Sequence, residues 1–280
     1  MPNYNTTQYG IEYRRKHRSY ERLILPYFRK ALRLTYSDIA DQITTGGVIL
    51  LSEMLPLMVK RTWMQDAYRK AWEEVGVRHA KWTEMWIRRV VTGKAELSDI
   101  ETKAIDFRSE FFRALMRDFY LNESSTLIQG IDDKTVSIIR GLLADAQEQG
   151  LSLLQQAEFI AGKLNDPAFS ENRAMVISRT ESTRSSNKAT SLAAENNEYE
   201  CLHRWVYVND NRTRSSHRKV GNQEPIPLTE KFVVDRPDGS GKDLMLYPGD
   251  PSSDPSNTVM CRCTQMIVPV TDDNGVPVMR

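Results

Sequence analysis

Apolar residues recur three and four positions apart through most of the first 196 residues, the spacing that lines one face of a helix. The spacing starts in Ile11–Leu34 and continues through Tyr36–Glu53, where Gly46 and Gly47 predict a turn. Pro26 is expected to kink or break the first of these helices, because proline has no backbone N–H to donate. The same spacing predicts further helices at residues 57–91, 97–121, 131–146, 153–164 and 171–196.

Polar and glycine residues mark the ends of several predicted helices. Ser98 is a predicted N-cap with Glu101 three residues later, which is the capping-box spacing. Gly150 follows the helix over residues 131–146 as a C-cap signal, and Ser152 precedes the next helix. Tryptophans at helical spacing, with His79 as a structural residue among them, predict core packing: Trp63, Trp72, Trp82 and Trp86.

The pattern changes after about residue 198 to short runs of alternating apolar and polar residues. Strands are predicted at residues 201–208, 232–234, 244–247 and 260–270. Asn165-Asp166-Pro167 interrupts the helical pattern, so a boundary is predicted there between a helical region of residues 1–165 and a C-terminal module of residues 166–280. The predicted fold class is α+β, with a mostly helical N-terminal region followed by a small mixed module of short antiparallel strands.

Composition excludes several classes of protein. The 280 residues are 40% hydrophobic and 27% charged, which is ordinary for a globular chain. No apolar run approaches 18 residues, so no membrane span is expected, and the first residues lack the apolar segment of a secretory signal. Three cysteines, two of them one residue apart, do not make a secreted disulfide framework, so a reducing, cytoplasmic setting is expected.

The net charge of +1 hides an uneven distribution of charge. Residues 1–94 hold 17 Lys and Arg against 9 Asp and Glu, a charge of +8, whereas the remainder holds 21 against 28 and carries −7. This asymmetry favours two surfaces with different partners. The basic residues of the first predicted helix are Arg14, Arg15, Lys16, Arg18, Arg22, Arg29, Lys30 and Arg33. Three interpretations stay open: docking on an acidic partner, non-specific neutralisation of double-stranded DNA phosphates, or an ordinary core helix.

Short motifs follow one another in the C-terminal part of the chain. In chain order they are Arg179-Thr180-Glu181, Trp205, a turn with Asp210, Arg212 and His217, then Pro248-Gly249-Asp250-Pro251, and finally Cys261-Arg262-Cys263. In this order the motifs resemble the phage head-morphogenesis family, the minor head proteins typified by phage Mu protein F. The resemblance lies in the C-terminal module and does not extend to residues 1–165.

The resemblance implies a structural component of the virion and procapsid, present in few copies and made in the host cytoplasm, with no catalytic residue. Such a protein binds the phage portal protein and other capsid proteins at the portal vertex or inside the head. It influences head assembly, DNA packaging or ejection. The resemblance further implies that the motif residues brace the C-terminal module, while the basic N-terminal half docks on the portal.

Metal binding is one alternative chemistry for the motif residues. His217, Cys261 and Cys263 offer the nitrogen and sulfur ligands that zinc prefers. The candidates for a fourth ligand are Cys201, His203 and Asp210. In a straight strand a Cys-x-Cys pair is roughly 7 Å apart, too far for two thiolates on one zinc, so a bend would be required. Members of the family with Cys-x-x-Cys resemble metal binders, but here those positions are Arg214 and His217. We therefore expect no cofactor; the other interpretation of both cysteines is as small buried residues.

Catalysis is a second alternative. Glu181 lies near the apolar side of its helix and needs a partner, which we expect to be Arg184 or Arg212 in a buried ion pair that braces helix against sheet. Contiguous Arg-Thr-Glu on one helix is the wrong arrangement for an ADP-ribosyltransferase-like site, whose residues come from separate strands. Asp210, Arg212 and His217 would serve a nuclease, with His217 as base, although Asp210 and Arg212 alternatively cap their turn.

Overall fold

The computed structural model of the 280-residue chain describes residues 6–47, 51–94 and 96–280. The helices are α1 (Thr6–Gly46), α2 (Leu51–Met58), α3 (Thr62–Thr92), α4 (Asp99–Phe107), α5 (Ser109–Glu148), α6 (Leu153–Asn165), α7 (Pro167–Glu195), α8 (Ser215–Gly221) and α9 (Pro255–Thr258). The strands are β1 (Cys201–Val206), β2 (Ile226–Pro227), β3 (Phe232–Asp235), β4 (Lys242–Met245) and β5 (Thr264–Pro269). None of the helices in the described ranges offers a stretch long and apolar enough to cross a bilayer.

The strands form two small antiparallel sheets. In the first, β1 lies between β2 and β5, and Trp205 is opposite Gln265. The second is the hairpin of β3 and β4, in which Phe232 is opposite Met245. Long helices followed by short antiparallel strands confirm the predicted α+β class.

The described residues fall into two compact units that are not consecutive in sequence. Unit 1 comprises the described parts of Met1–Leu23, Ala71–Phe119 and Arg179–Arg280, and unit 2 comprises those of Ile24–Lys70 and Tyr120–Ser178. The unit limits fall inside α1, α3, α5 and α7. The predicted division at residue 165 therefore does not coincide with a limit of either unit. That a separate module starts there stays a prediction.

The core of unit 1 joins α1 and α3 to the first sheet. Tyr9, Trp82 and Met266 belong to one buried cluster, and the Tyr9 hydroxyl donates a hydrogen bond to the Gln265 carbonyl oxygen at 2.8 Å. Trp86 packs against the same cluster and donates its indole N–H to the carbonyl oxygen of Ile267 at 3.0 Å. The first helix is thus part of the core of this unit, which agrees with the interpretation of the basic stretch as an ordinary core helix.

Unit 2 has its own apolar and ionic contacts. Phe28 of α1 packs edge-on against Tyr68 of α3 with ring centroids 5.1 Å apart. Arg29 makes a bidentate ion pair with Glu171, one bond of which measures 2.7 Å. Arg29, one of the eight basic residues of the stretch, is therefore bound within this unit.

Several helix boundaries differ from the prediction. Helix α1 is not broken at Pro26, which lies on an exposed side of the helix, as does Arg22, the residue whose carbonyl group loses its helical partner. The predicted helix over 97–121 is divided at Arg108, and Phe107, the last residue of α4, is 90% exposed. No helix starts at residue 131, because α5 runs through it and the carboxylate of Asp132 is paired with Arg61 at 2.7 Å.

The predicted helix caps are confirmed. Ser98 and Glu101 form a capping box at the start of α4. Gly150 has a φ of 69°, and its N–H and that of Leu151 donate to the carbonyl oxygens of Gln147 and Ala146, closing α5 in a Schellman motif. Local sequence signals of this kind do not depend on tertiary contacts, so the sequence alone was sufficient to predict these caps.

Candidate functional site

From Arg179 onward, helix α7 presents a polar face to the segment before β5, and both of these parts lie in unit 1. The face consists of side chains spaced three and four residues apart: Thr180, Thr183, Asn187 and Ser191. Thr180 accepts a hydrogen bond from the backbone N–H of Met260 at 3.1 Å, and Thr183 donates to the carbonyl oxygen of Cys261 at 2.6 Å. Because the backbone of this segment is bonded to the helix, its path is fixed by α7.

Asn187 is the most connected residue of the polar face. Its amide nitrogen donates to the carbonyl oxygens of Pro248 and Cys263, at 3.0 and 3.2 Å. Its amide oxygen accepts from the Thr264 hydroxyl and the Gln265 backbone N–H, at 3.1 and 3.0 Å. One fully buried side chain thereby fastens two distant segments of the chain to α7.

Pro248-Gly249-Asp250-Pro251 forms a tight turn against the same helix. Gly249 has a φ of 85°, and a Cβ there would lie 3.2 Å from Arg184 and 3.3 Å from Thr183. Asp250 accepts hydrogen bonds from the backbone N–H groups of Leu246 and Ser252 at 2.8 and 3.0 Å. The motif therefore serves a close approach of the turn to α7.

The segment with Cys261 and Cys263 is bent. Met260 has a φ of 60°, and the Cys261 N–H donates to the Thr258 carbonyl oxygen in a turn at 3.2 Å. Strand β5 begins only at Thr264, so the predicted strand over 260–270 is too long at its start. Both cysteines thus lie outside the extended strand, in the bend that a shared metal would require.

His217, Cys261 and Cys263 meet in the core of unit 1. The Nδ1 atom of His217 is 3.4 Å from Cys263 Sγ and 3.6 Å from Cys261 Sγ. The three side chains are 1%, 2% and 3% exposed, respectively. His217 lies on α8, where the sequence predicted a turn, and its ring is edge-on to Trp205 with ring centroids 5.2 Å apart.

A chain of hydrogen bonds fixes the tautomer of His217. The Asn257 amide nitrogen donates to the Asp243 carboxylate at 2.8 Å and to the Asp235 carbonyl oxygen at 3.4 Å. The Asn257 amide oxygen must then face His217 Nε2, at 3.3 Å, where only an N–H can satisfy it. In the neutral ring Nδ1 consequently carries the lone pair that faces the two sulfur atoms.

The pKa values of the two cysteine thiols are shifted in opposite directions. The pKa of Cys261 lies well below its ordinary value because the Cys263 S–H group donates to it and His217 is adjacent, although burial acts in the opposite direction. The same hydrogen bond, together with burial, raises the pKa of Cys263 well above its ordinary value. The Cys263 backbone N–H also donates to Cys261 Sγ at 3.4 Å. The cluster therefore favours a thiolate at Cys261.

The three candidates for a fourth ligand lie elsewhere. Among the described residues, no other His, Cys, Asp or Glu joins the group whose ligand atoms lie within 4.8 Å of one another. The Cys201 thiol donates to the Tyr199 carbonyl oxygen, and burial raises its pKa to about 11. His203 is bonded to Gln265 at 3.0 Å, and Asp210 is bonded to an arginine.

The Arg179-Thr180-Glu181 motif sends its two charged side chains in different directions. Arg179 pairs with Glu21 of α1 at 2.8 Å. Glu181 is 1% exposed, accepts from the Trp72 indole N–H at 3.0 Å and pairs with Arg184 at 2.7 Å. Of the two expected partners of Glu181, Arg184 forms the pair and Arg212 does not, so this carboxylate braces α7 against α3 and not against the sheet.

Glu21 is held as a carboxylate by its neighbours. Burial by itself would raise its pKa, but hydrogen bonds from His17 and Arg179 outweigh burial and lower the pKa to about 2. Arg179, the first residue of the motif, thus binds α1 by an ion pair that persists at neutral and mildly acidic pH.

Asp210 has a partner that sequence reasoning missed. Arg262, the central residue of the Cys-Arg-Cys motif, makes two parallel hydrogen bonds to its carboxylate at 2.7 and 2.8 Å, and these lower the pKa of Asp210. Arg212 donates its backbone N–H to Asp210 but leaves its guanidinium 3.7 Å away, with its side chain 70% exposed. Both ring nitrogens of His217 face Cys263 and Asn257, so the trio proposed for a nuclease is not assembled.

A basic cleft opens on the surface of unit 1. It is a cavity of about 300 Å³ whose lining includes five arginines: Arg14, Arg18, Arg179, Arg212 and Arg262. Glu21 also lines it, and Asp210 lines an adjoining cavity. The excess of guanidinium groups makes the cleft a candidate site for an anionic partner.

The other basic residues of the stretch lie outside this cleft. In unit 1, Arg15 and Arg22 are exposed, and the Lys16 ammonium lies 5.6 Å from the Trp82 ring centroid. In unit 2, Lys30 and Arg33 are exposed. The basic residues of the stretch are therefore divided between the two units, and of these eight residues Arg14 and Arg18 line the cleft.

Comparison with protein families identifies the C-terminal part of the chain. Residues 138–266 match the family model described as Phage Mu protein F like protein. The match starts well before residue 165, so the resemblance reaches further towards the N-terminus than the motifs indicated, and it covers 129 of the 280 residues. Comparison with curated proteins and with solved structures found no significant match. The resemblance that the motif order indicated is confirmed: residues 138–266 are similar to the phage Mu protein F-like family of head-morphogenesis proteins.

Proposed function

We propose that the protein is a structural minor head protein, a low-copy component of the procapsid and virion that binds the portal protein. It acts from the portal vertex or the capsid interior in head assembly, DNA packaging or ejection. The observation that carries the proposal is the family match over residues 138–266.

The internal bonding of the candidate catalytic groups supports a structural role. Glu181 is buried and bonded to Trp72 and Arg184, and His217 is buried and bonded through both ring nitrogens. A general acid or base must reach a substrate proton within about 3 Å. The side chains of Glu181 and His217 are each only 1% exposed, so they do not meet that condition.

We assign partner docking to the basic cleft. Arg14, Arg18 and Arg212 line it, and the side chain of Arg212 is 70% exposed. An acidic surface of the portal or of another capsid protein complements these charges, and charge complementarity steers association. Double-stranded DNA is the competing anionic partner, and the binding assay below distinguishes the two.

Quantitative peptide mass spectrometry of purified procapsids and mature particles tests the proposed role. We expect the protein in both, at a copy number no higher than that of the portal protein. Presence in procapsids alone would restrict the role to assembly. Absence from both would contradict the assignment to the head.

A binding assay with purified portal protein tests the docking surface. The Arg14→Ala/Arg18→Ala variant is expected to bind about tenfold more weakly, equivalent to about 1.4 kcal/mol. Arg15→Ala is the matched control, because Arg15 is exposed on the same helix but does not line the cleft. Equal loss in both variants, or a loss only for DNA with a steep salt dependence, would overturn docking of a protein at this cleft.

A further inference from the structure

We propose that His217, Cys261 and Cys263 bind one zinc ion. Zn–S bonds near 2.3 Å and Zn–N bonds near 2.0–2.1 Å place sulfur and nitrogen ligands of one tetrahedral ion about 3.6 Å apart. The distances from His217 Nδ1 to Cys263 Sγ and Cys261 Sγ are 3.4 and 3.6 Å. The two sulfur atoms also lie within 4.8 Å of one another, although the cysteines are separated by a single residue. The nitrogen atom is therefore at the distance from each sulfur atom that one shared ion requires.

The polar face of α7 creates the bend that allows this spacing. The Thr180 hydroxyl accepts a hydrogen bond from the Met260 N–H. The Thr183 hydroxyl donates to the Cys261 carbonyl oxygen, and the Asn187 amide donates to the Cys263 carbonyl oxygen. The backbone is consequently turned before strand β5 begins, and both sulfur atoms face the same side as the His217 ring. The objection that a straight Cys-x-Cys pair cannot share a metal does not apply to this segment.

The hydrogen bonds of Asn257 direct the lone pair of His217 towards the thiols. Its amide nitrogen is committed to Asp243 and the Asp235 carbonyl oxygen, which leaves its amide oxygen for His217 Nε2. A histidine ligand that donates its other N–H to a fixed acceptor is the usual arrangement around a metal. Asn257 is thus the orienting residue of the proposed site.

Two thiolates and an imidazole select zinc over harder cations such as magnesium or calcium. The fourth position of the tetrahedron would be left for a water molecule, because no other His, Cys, Asp or Glu among the described residues joins the cluster. The ligands are at most 3% exposed and belong to the core around Trp205 and Phe232, so the ion would stabilise the fold and not act on a substrate. This role is independent of whether the protein docks on a portal.

Metal analysis of the full-length protein, purified without chelators, tests the proposal. We expect about one zinc ion per chain. Cys261→Ser and Cys263→Ser are expected to lose zinc, whereas Cys201→Ser, which replaces a buried thiol outside the cluster, is expected to keep it. Wild-type protein that contains less than a tenth of an equivalent of zinc and takes up none would overturn the proposal, and so would copper or iron in place of zinc.

Two further measurements, one on the wild-type protein and one on a variant that keeps all three ligands, remain informative if the cysteine variants fail to fold. Replacing the bound ion with Co²⁺ is expected to give thiolate-to-cobalt absorption with the intensity of two sulfur ligands. Asn257→Ala is expected to weaken zinc affinity by about 10–100-fold, the usual effect of removing an orienting hydrogen bond. No thiolate-to-cobalt absorption in the folded wild type, or an unchanged affinity in folded Asn257→Ala, would contradict the proposed arrangement.

Discussion

Replacing Glu181 with alanine is expected to destabilise the protein by about 3–5 kcal/mol, because it leaves a buried cation without its carboxylate. The carboxylate lies 2.7 Å from the guanidinium of Arg184, whose side chain is only 12% exposed. The same carboxylate accepts the Trp72 indole N–H at 3.0 Å, and a buried donor without an acceptor costs about 1–3 kcal/mol. Glu181→Gln should cost less, because the amide oxygen still accepts from Trp72.

A double variant separates the ion pair from the other contacts of Glu181. Arg184→Met is expected to cost a similar amount by itself, since it leaves a buried carboxylate without its cation. Glu181→Leu/Arg184→Met removes both charges, and the remaining cost is expected to be about 1–3 kcal/mol for the unpaired Trp72 N–H. The double variant should therefore be more stable than either single charge deletion.

Urea-induced unfolding followed by far-ultraviolet circular dichroism measures these differences. Asp66→Ala is the control, because Asp66 pairs with Arg69 and Lys70 at an exposed site and should contribute less than about 1 kcal/mol. A loss below 1 kcal/mol for Glu181→Ala, or a double variant as unstable as the sum of the two singles, would refute the reasoning.

Three further substitutions probe other contacts of unit 1, and a fourth probes an exposed helical position. Asn187→Asp should lower the free energy of unfolding by at least about 3 kcal/mol at neutral pH, because a carboxylate oxygen would then face the three carbonyl oxygens to which the amide nitrogen now donates. A loss below about 1 kcal/mol would contradict the importance of these hydrogen bonds. Glu21 has a lowered pKa of about 2, so the stability it contributes is present above its unfolded pKa near 4.5 and is lost as the pH falls towards 2. Glu21→Gln should therefore be less stable than wild type by about 1–2 kcal/mol at pH 7, a figure reduced for partial exposure, and the two melting curves should converge near pH 2; a pH-independent difference would contradict the assignment. Gly221→Ala should lower the free energy of unfolding by about 1–3 kcal/mol, because the new Cβ would lie 2.3 Å from the Tyr207 ring. Gly141→Ala has open space around it and should stabilise α5 by up to about 1 kcal/mol. Equal effects of the two substitutions in thermal unfolding would refute the steric clash at Gly221.

Sequence periodicity and local signals predicted the helical regions because these depend on neighbours within one turn. Ser98 with Glu101, Gly150 and Ser152 each marked a helix end that the structure contains. A break at Pro26 and a helix start at residue 131 do not occur, since α1 continues through the exposed Pro26 and Asp132 is paired with the distant Arg61. Such a pairing comes from tertiary contacts and leaves no local pattern.

The order of the motifs predicted the family without revealing how the motifs meet. Arg262 was visible only as the middle of Cys-Arg-Cys, yet it binds Asp210, 52 residues earlier. Trp72 bonds Glu181 across 109 residues, a pairing that no spacing rule predicts. Contacts over such separations depend on the path of the whole chain between them.

The chain by itself determined the helices with their caps, the α+β class, the family of its C-terminal part and the identity of three potential zinc ligands. Only the tertiary structure decided that these ligands come together. The bend at Met260 is held by hydrogen bonds to α7, and the His217 tautomer is fixed by Asn257, a residue 40 positions away. Both effects require polar groups from separate segments to be buried side by side, where each must find a partner, and folding alone creates that condition.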